Sequence, residues 1–319
     1  MLLAAILALL QEASEVRKAV EKAIPLLERG AAGSIKERSC FTCHNLGVPL
    51  LALAAARDRG FKVDEAGLKA ILEHTGAFLE RNRENYRQGK GQGGQADTAG
   101  WALWTLESGG WKPDETTAAT AHYLAVRDKD KGHWTNVSTR PPSEASPFTT
   151  TFLGIAGLRA FAAGEDKAAG GERIAKSREW LLGAKPKDTE DRVFRLRALE
   201  YSGAEPKDVE AATKDLLGTQ IEDGGWAQLP GGESDAYATG TALAALAQAG
   251  GLATADAAYR KGLAWLLAAQ KEDGSWHVKT RSKPIQTYFE SGFPHGKDQF
   301  ISITASGWSA LALALALPK

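Results

Sequence analysis

The sequence predicts an all-α protein built as an α6/α6 toroid: six helical hairpins closed into a ring, with inner and outer helices. Three observations carry that expectation. Apolar residues recur at helical spacing along the chain and nowhere sustain the two-residue alternation of a strand. A Gly-rich turn appears twice, Gln220 to Trp226 (QIEDGGW) and Gln270 to Trp276 (QKEDGSW), each time between two helical segments. Segments after such turns are small and apolar on nearly all faces, whereas those before them carry charge on one face. These are the patterns of buried and of water-facing helices.

The first element is the apolar run Leu2 to Leu10 (MLLAAILALL). It is too short to cross a bilayer and about the length of a signal-peptide core, so residues 1–13 are read as an export leader. A first amphipathic helix of the fold is the alternative. The first inner segment, HNLGVPLLALAAARDRG, starts at His44, and a charged outer segment, GLKAILEHTGAFLERNRE, follows from Gly67. Further inner segments start at Asp97, Thr149, Asp191, Tyr237 and Thr304, and they align on Leu106, Leu158, Leu199, Leu246 and Leu313. Residues 14–319 thus form one domain of six units, in which repeat six packs against repeat one. An open solenoid of the same hairpins is the other arrangement they allow.

Composition narrows the class. The chain has 319 residues, 43% hydrophobic and 24% charged, with 39 basic side chains against 39 acidic ones. A balanced charge gives no electrostatic footprint for nucleic acid, and no apolar run is long enough for a membrane span.

The paired Gln-x-x-x-Gly-x-Trp turns and the ring of hairpins resemble the squalene and oxidosqualene cyclases and, more distantly, the protein prenyltransferase β subunits. The likeness spans roughly residues 15 to 317. It implies that Gln220 and Gln270 bind backbone at helix ends and that Trp226 and Trp276 are structural staples. It also implies an Asp-x-Asp-Asp-Thr-Ala motif whose middle aspartate protonates an alkene or epoxide. The best match is Gly94-Gln95-Ala96-Asp97-Thr98-Ala99, where Ala96 occupies the donor position. The zinc of the prenyltransferases, held by Asp, Cys and His with the Cys in a later repeat, has no counterpart, because both cysteines lie in repeat one. The family fold is expected without the family's best-known reactions.

The only cysteines form Cys40-Phe41-Thr42-Cys43-His44, the attachment signature of a c-type haem. Cys40 and Cys43 would carry the thioethers and His44 the iron. Haem attachment occurs outside the cytoplasm, in agreement with the leader, so a periplasmic or secreted bacterial protein is expected. A structural zinc site, a redox Cys-x-x-Cys and a plain disulfide are the competing readings. The only Met is Met1, which leaves bis-His ligation or an open iron position. Among the remaining histidines, His74 and His122 fall on outer helices as surface residues. His133, His277 and His295 fall in rim turns, and His295 ranks first as distal ligand because its loop, His277 to Phe300, is the longest.

The rim contributes further candidates. Asp97, Asp235, Glu290, His295 and Asp298 are candidate catalytic groups, although Asp97 and Asp235 could simply cap inner helices. Trp101, Trp134, Arg140, Tyr237 and Tyr288 are expected at the cavity. Asp128 and Asp130 read as solvated charges. Three functions follow. The first is a haem-bearing toroid that passes electrons to a redox partner or binds an apolar, isoprenoid-like ligand beside the iron. The second is a terpenoid cyclase or isomerase using another acid. The third is a non-enzymatic scaffold with a Cys-x-x-Cys disulfide.

Overall fold

The computed structural model describes residues 2–284 and 287–319, with side chains from residue 11 onward. Described residues form helices and turns, without a named strand. Helix α1 (Leu2–Glu37) pairs with α2 (Val48–Arg57). Helix α3 (Glu65–Glu80), followed by the single turn α4 (Arg83–Arg87), pairs with α5 (Gln95–Ser108). The remaining pairs are α6 (Glu115–Val126) with α7 (Pro147–Phe161), α8 (Asp166–Gly183) with α9 (Thr189–Tyr201), α10 (Pro206–Leu217) with α11 (Ala236–Gln248), and α12 (Ala257–Ala269) with α13 (Gln299–Leu315). The second member of each pair is buried on nearly all faces and packs on its counterparts, and α13 packs on both α11 and α2. The ring is therefore closed, and the open solenoid is excluded. At the closing seam a side chain on Gly307 of α13 would lie 2.8 Å from Val48, so glycine lets α13 approach α2.

The apolar run at the N-terminus is continuous with the first outer helix: α1 starts at Leu2, and Val16, Val20, Leu27 and Ala31 bury against the ring. No described helix is long and apolar enough to cross a membrane.

The two recurrent turns are staples, as the resemblance implied. Gln220 donates to the carbonyls of Gly224 and Ala258, each at 2.8 Å, and Gln270 to those of Gly274 and Ala19, each at 2.9 Å. Each glutamine thus ties its own turn to the outer helix of the next repeat; Gln270 does so across the seam, onto α1. Trp226 and Trp276 donate from Nε1 to Leu216 and Leu266, ten residues back. Their backbone N–H groups donate to the hydroxyls of Thr239 and Ser306. Gly224 and Gly274 hold φ of +93° and +94°, where a side chain would also meet the backbone of Lys261 and Lys22, so only glycine fits.

A third staple is present. Trp134, expected at the cavity, is fully buried between the rings and donates from Nε1 to Leu124, also ten residues back, while its N–H reaches Thr151. Here Arg173 of α8 supplies the link between repeats by donating to Lys131 and His133. Asp128, expected as a solvated charge, instead accepts from the N–H and hydroxyl of Thr135.

The middle of the ring is filled by aromatic side chains. Trp104 meets Trp101 at 5.2 Å, Phe152 at 4.7 Å and Trp308 at 6.2 Å between ring centroids, and Trp101 meets Phe194 at 6.5 Å. These residues come from α5, α7, α9 and α13, so they touch across the axis. Arg197 lies over Trp104 and Trp308 and donates to Gln248. Burial pushes its guanidinium down to about 10, so it stays charged at neutral pH.

A candidate active site at the rim

All outer-to-inner turns lie on one rim, and there a cavity of about 400 Å³ opens beside the turn between α1 and α2. That turn contains one turn of π-helix, Cys43–Gly47, started by the Thr42 hydroxyl accepting from the N–H of Asn45 at 3.1 Å. The next outer helix, α3, holds the turn from outside. Arg81 donates to the carbonyl of Ser39, and His74, expected at the surface, lies 3.3 Å from that of Cys40. The cavity is lined by Cys40, Phe41, Cys43, His44, Asp97, Trp101, Arg140 and Glu144 on the ring side. Thr280, Ser282, Lys283, Pro284, Tyr288, Lys297 and Phe300 line it from the loop of repeat six. Ring closure thus brings the longest turn over the motif, as the repeat count anticipated.

Glu144 is a wall residue that sequence reasoning missed. It lies in the segment before α7, where its backbone pairs with Arg140 in both directions and its carboxylate forms an ion pair with the same Arg140. It is 8% exposed, and its Oε1 accepts from the Cys43 thiol at 3.2 Å. The Cys43 sulfur is 3.3 Å from His44 Nδ1, and His44 Nε2 is 3.1 Å from the Ser143 hydroxyl. One donor atom each from Cys43, His44 and Glu144 therefore lie within 4.8 Å of one another. Burial, reinforced by the Glu144 charge, pushes the Cys43 thiol well up, and burial pushes the His44 imidazole down.

Asp97 sits three residues into α5 and does not cap it, because the cap position is Gly94. Its Oδ1 accepts from the Thr150 hydroxyl of α7, and its buried Oδ2 has no hydrogen-bond partner among the described residues. Burial raises its carboxyl to about 7, opposed by the Thr150 hydroxyl, assisted by the Glu144 charge, and opposed further by the Val137 N–H and the Arg140 charge.

The other sequence candidates lie elsewhere. Asp235 caps α11 by accepting from the N–H groups of Tyr237 and Ala238, and Tyr237 is buried with its hydroxyl on Glu190. Glu290 is exposed and accepts from the Tyr288 hydroxyl. His295, expected over the site as distal ligand, is not in the cavity wall: it bonds to Ser275 at 2.7 Å and stacks on His277. Asp298 accepts from His277 and from the N–H of Thr280. Thr280, Ser282, Lys283, Pro284, Tyr288, Lys297 and Phe300 of the loop thus face the cavity, while His295 and Asp298 pair with neighbouring residues of the same turn. The wall retains Cys40, Cys43, His44, Asp97, Trp101, Arg140 and Tyr288 from the sequence reading.

Comparison with protein-family models and with curated proteins yields no match. Among solved structures the chain is similar to a variant of the type II terpene cyclase MstE from Scytonema in complex with merosterolic acid A, its product. The TM-score is 0.59 at 17% identity, covering 97% of this chain and 99% of that one. Another MstE variant, in complex with its substrate geranylgeranyl dihydroxybenzoate, gives 0.58 at 16% identity, covering 96% and 98%. A protein from Actinoplanes gives 0.57 at 15% identity, covering 96% and 99%. The fold of this chain is that of the type II terpene cyclase ring.

Proposed function

We propose that the chain is a terpene-cyclase-type isomerase acting on a short isoprenoid, with Asp97 as proton donor. The observation that carries this reading is the setting of Asp97: buried on the cavity wall, one oxygen fixed by Thr150 and the other without a hydrogen-bond partner among the described residues. A carboxyl raised to about 7 keeps much of its proton at neutral pH. It is also a weaker acid than an exposed aspartic acid, so it suits the oxygen of an epoxide better than a bare alkene. Proton transfer from the Asp97 carboxyl would open the C–O bond to a hydroxyl. A neighbouring double bond would then close on the carbon left positive, forming a C–C bond, and the proton lost at the end balances the one given.

Trp101, Phe41 and Phe300 offer aromatic faces to the positive charge. A cavity of about 400 Å³ lies at the small end of ligand pockets, so a substrate of about 10–15 carbons is expected. The likeness to a cyclase that holds an isoprenoid substrate supports the same reading.

The haem read from Cys40, Cys43 and His44 rests on the motif. The surroundings suit it less well, because the Cys43 sulfur meets a buried carboxylate and both His44 ring nitrogens have protein neighbours. No step above uses it. A site of action outside the cytoplasm rests on the leader, and the mass of the mature chain from a bacterial host tests it.

The function is tested by incubating the protein with acyclic isoprenoid epoxides of about 10 and 15 carbons and separating cyclic alcohol isomers by gas chromatography with mass detection. Asp97→Asn should still quench tryptophan fluorescence on binding while turnover drops at least ~100-fold. Equal turnover in Asp97→Asn, or neither binding nor conversion by the wild type, would refute the reading.

A further inference from the structure

We infer that Cys43, His44 and Glu144 form a mononuclear site for a zinc-class divalent cation, with its fourth position open to the rim cavity. The inference goes beyond the isomerase reading and stands without it. Three kinds of donor converge there: a sulfur, an imidazole nitrogen and a carboxylate oxygen, within 4.8 Å of one another. Bond lengths of zinc to S, N and O imply ligand-to-ligand edges of roughly 3.3–3.6 Å in a tetrahedral site. The Cys43 sulfur lies 3.3 Å from His44 Nδ1 and 3.2 Å from Glu144 Oε1, within a few tenths of an ångström of those edges. A cation needs only to replace the thiol proton, which leaves to solvent as metal binding generally requires.

The surroundings are those of an oriented ligand set. His44 Nε2 sits 3.1 Å from the Ser143 hydroxyl, the outer partner that fixes a ligating imidazole and leaves Nδ1 for the metal. Arg140 holds the second carboxylate oxygen of Glu144, so this side chain presents Oε1 to the site. One thiolate and one carboxylate supply two negative charges, the carboxylate sharing its charge with Arg140. Thiolate with imidazole and carboxylate is a borderline-soft set that selects zinc over magnesium or calcium. Three protein ligands at a cavity wall are the arrangement of a metal that meets a ligand there, whereas a structural zinc takes four. Cys40 lines the same cavity but lies outside the group, so the two cysteines have different roles.

The test loads the full-length protein with Zn²⁺ and, separately, Co²⁺, followed by elemental analysis after gel filtration and by absorption spectroscopy. One equivalent per chain and a thiolate-to-cobalt charge-transfer band are expected. Cys43→Ser should abolish the band, Glu144→Gln should weaken Zn²⁺ binding at least tenfold, Ser143→Ala should weaken it about tenfold, and Cys40→Ser should leave it unchanged. The wild-type cobalt band keeps the test decisive if a variant fails to fold. Absence of stoichiometric metal and of the band, equal loss in Cys40→Ser, or a haem mass that survives denaturation would overturn the site. None of these readouts depends on turnover of an isoprenoid.

Discussion

The turn of repeat six and the turn of repeat one occupy the same rim, yet their side chains do different work. In repeat six, Gln270 and the Trp276 indole are aimed at backbone carbonyls, and Trp276 is buried away from the cavity. In repeat one the corresponding segment has neither glutamine nor tryptophan. Its link to the neighbouring repeat is supplied from outside, by His74 and Arg81 of the next unit, just as Arg173 supplies it for repeat three. Once the neighbour carries that load, the turn's own side chains are free to face the cavity, and Cys43 and His44 do so. A repeat fold can therefore place chemistry in a turn without losing the tie that holds the ring together.

This contrast can be broken by experiment. The largest effect is expected for Trp276→Ala, which empties a fully buried indole site and frees the Leu266 carbonyl; a loss of about 3–5 kcal/mol in denaturant unfolding is expected. Cys43→Ser, at the equivalent turn, should change stability by no more than about 1 kcal/mol, since serine can still donate to Glu144. A similar loss in both variants would mean that the repeat-one turn is also a staple.

Asp97 is expected next. Its folded carboxyl, near 7, lies above its unfolded value, so folding takes up a proton and the unfolded chain releases it more readily. Stability should fall as pH rises from about 4 to 7 and level off above, with a total change of a few kcal/mol. Glu144, Arg140, Cys43 and Tyr123 are the charged and titratable groups coupled to it among the described residues. Asp97→Asn should remove most of this slope and stabilise the protein at pH 8, and melting curves across that range check it.

Gln270→Leu should cost about 1–3 kcal/mol by orphaning the Ala19 and Gly274 carbonyls at the closing seam. The smallest effect belongs to Tyr288→Phe. It loses only an exposed bond to Glu290, so stability should stay within about 0.5 kcal/mol.

The fold was legible because period and punctuation agree: helical apolar spacing, alternation of buried with amphipathic segments, and a Gly-x-Trp turn. The third staple was not read as one: Gly132-His133-Trp134 carries the same Gly-x-Trp, but its glutamine is absent and an arginine 39 residues on does the tying. Trp134 and Tyr237 were misplaced because repeat position fixes height along the ring and not the direction in which a side chain points. Cys43, His44 and Asp97, which motifs brought forward, lie in the wall of the rim cavity. Glu144 was not brought forward, because it lies 101 residues from Cys43 in a Pro/Ser segment with no periodicity. His295 and Asp298 were drawn over the site by loop length alone, whereas neighbouring Ser275 and His277 satisfy them locally.

The block of Trp101, Trp104, Trp308, Phe152 and Phe194 has a consequence for traffic. With the hub packed in this way the chamber ends at the ring axis, and a guest would come and go past the wall formed by Thr280, Ser282, Lys283 and Tyr288. A bulkier guest would then be admitted by hollowing the hub, as with Trp104→Ala, rather than by widening the mouth.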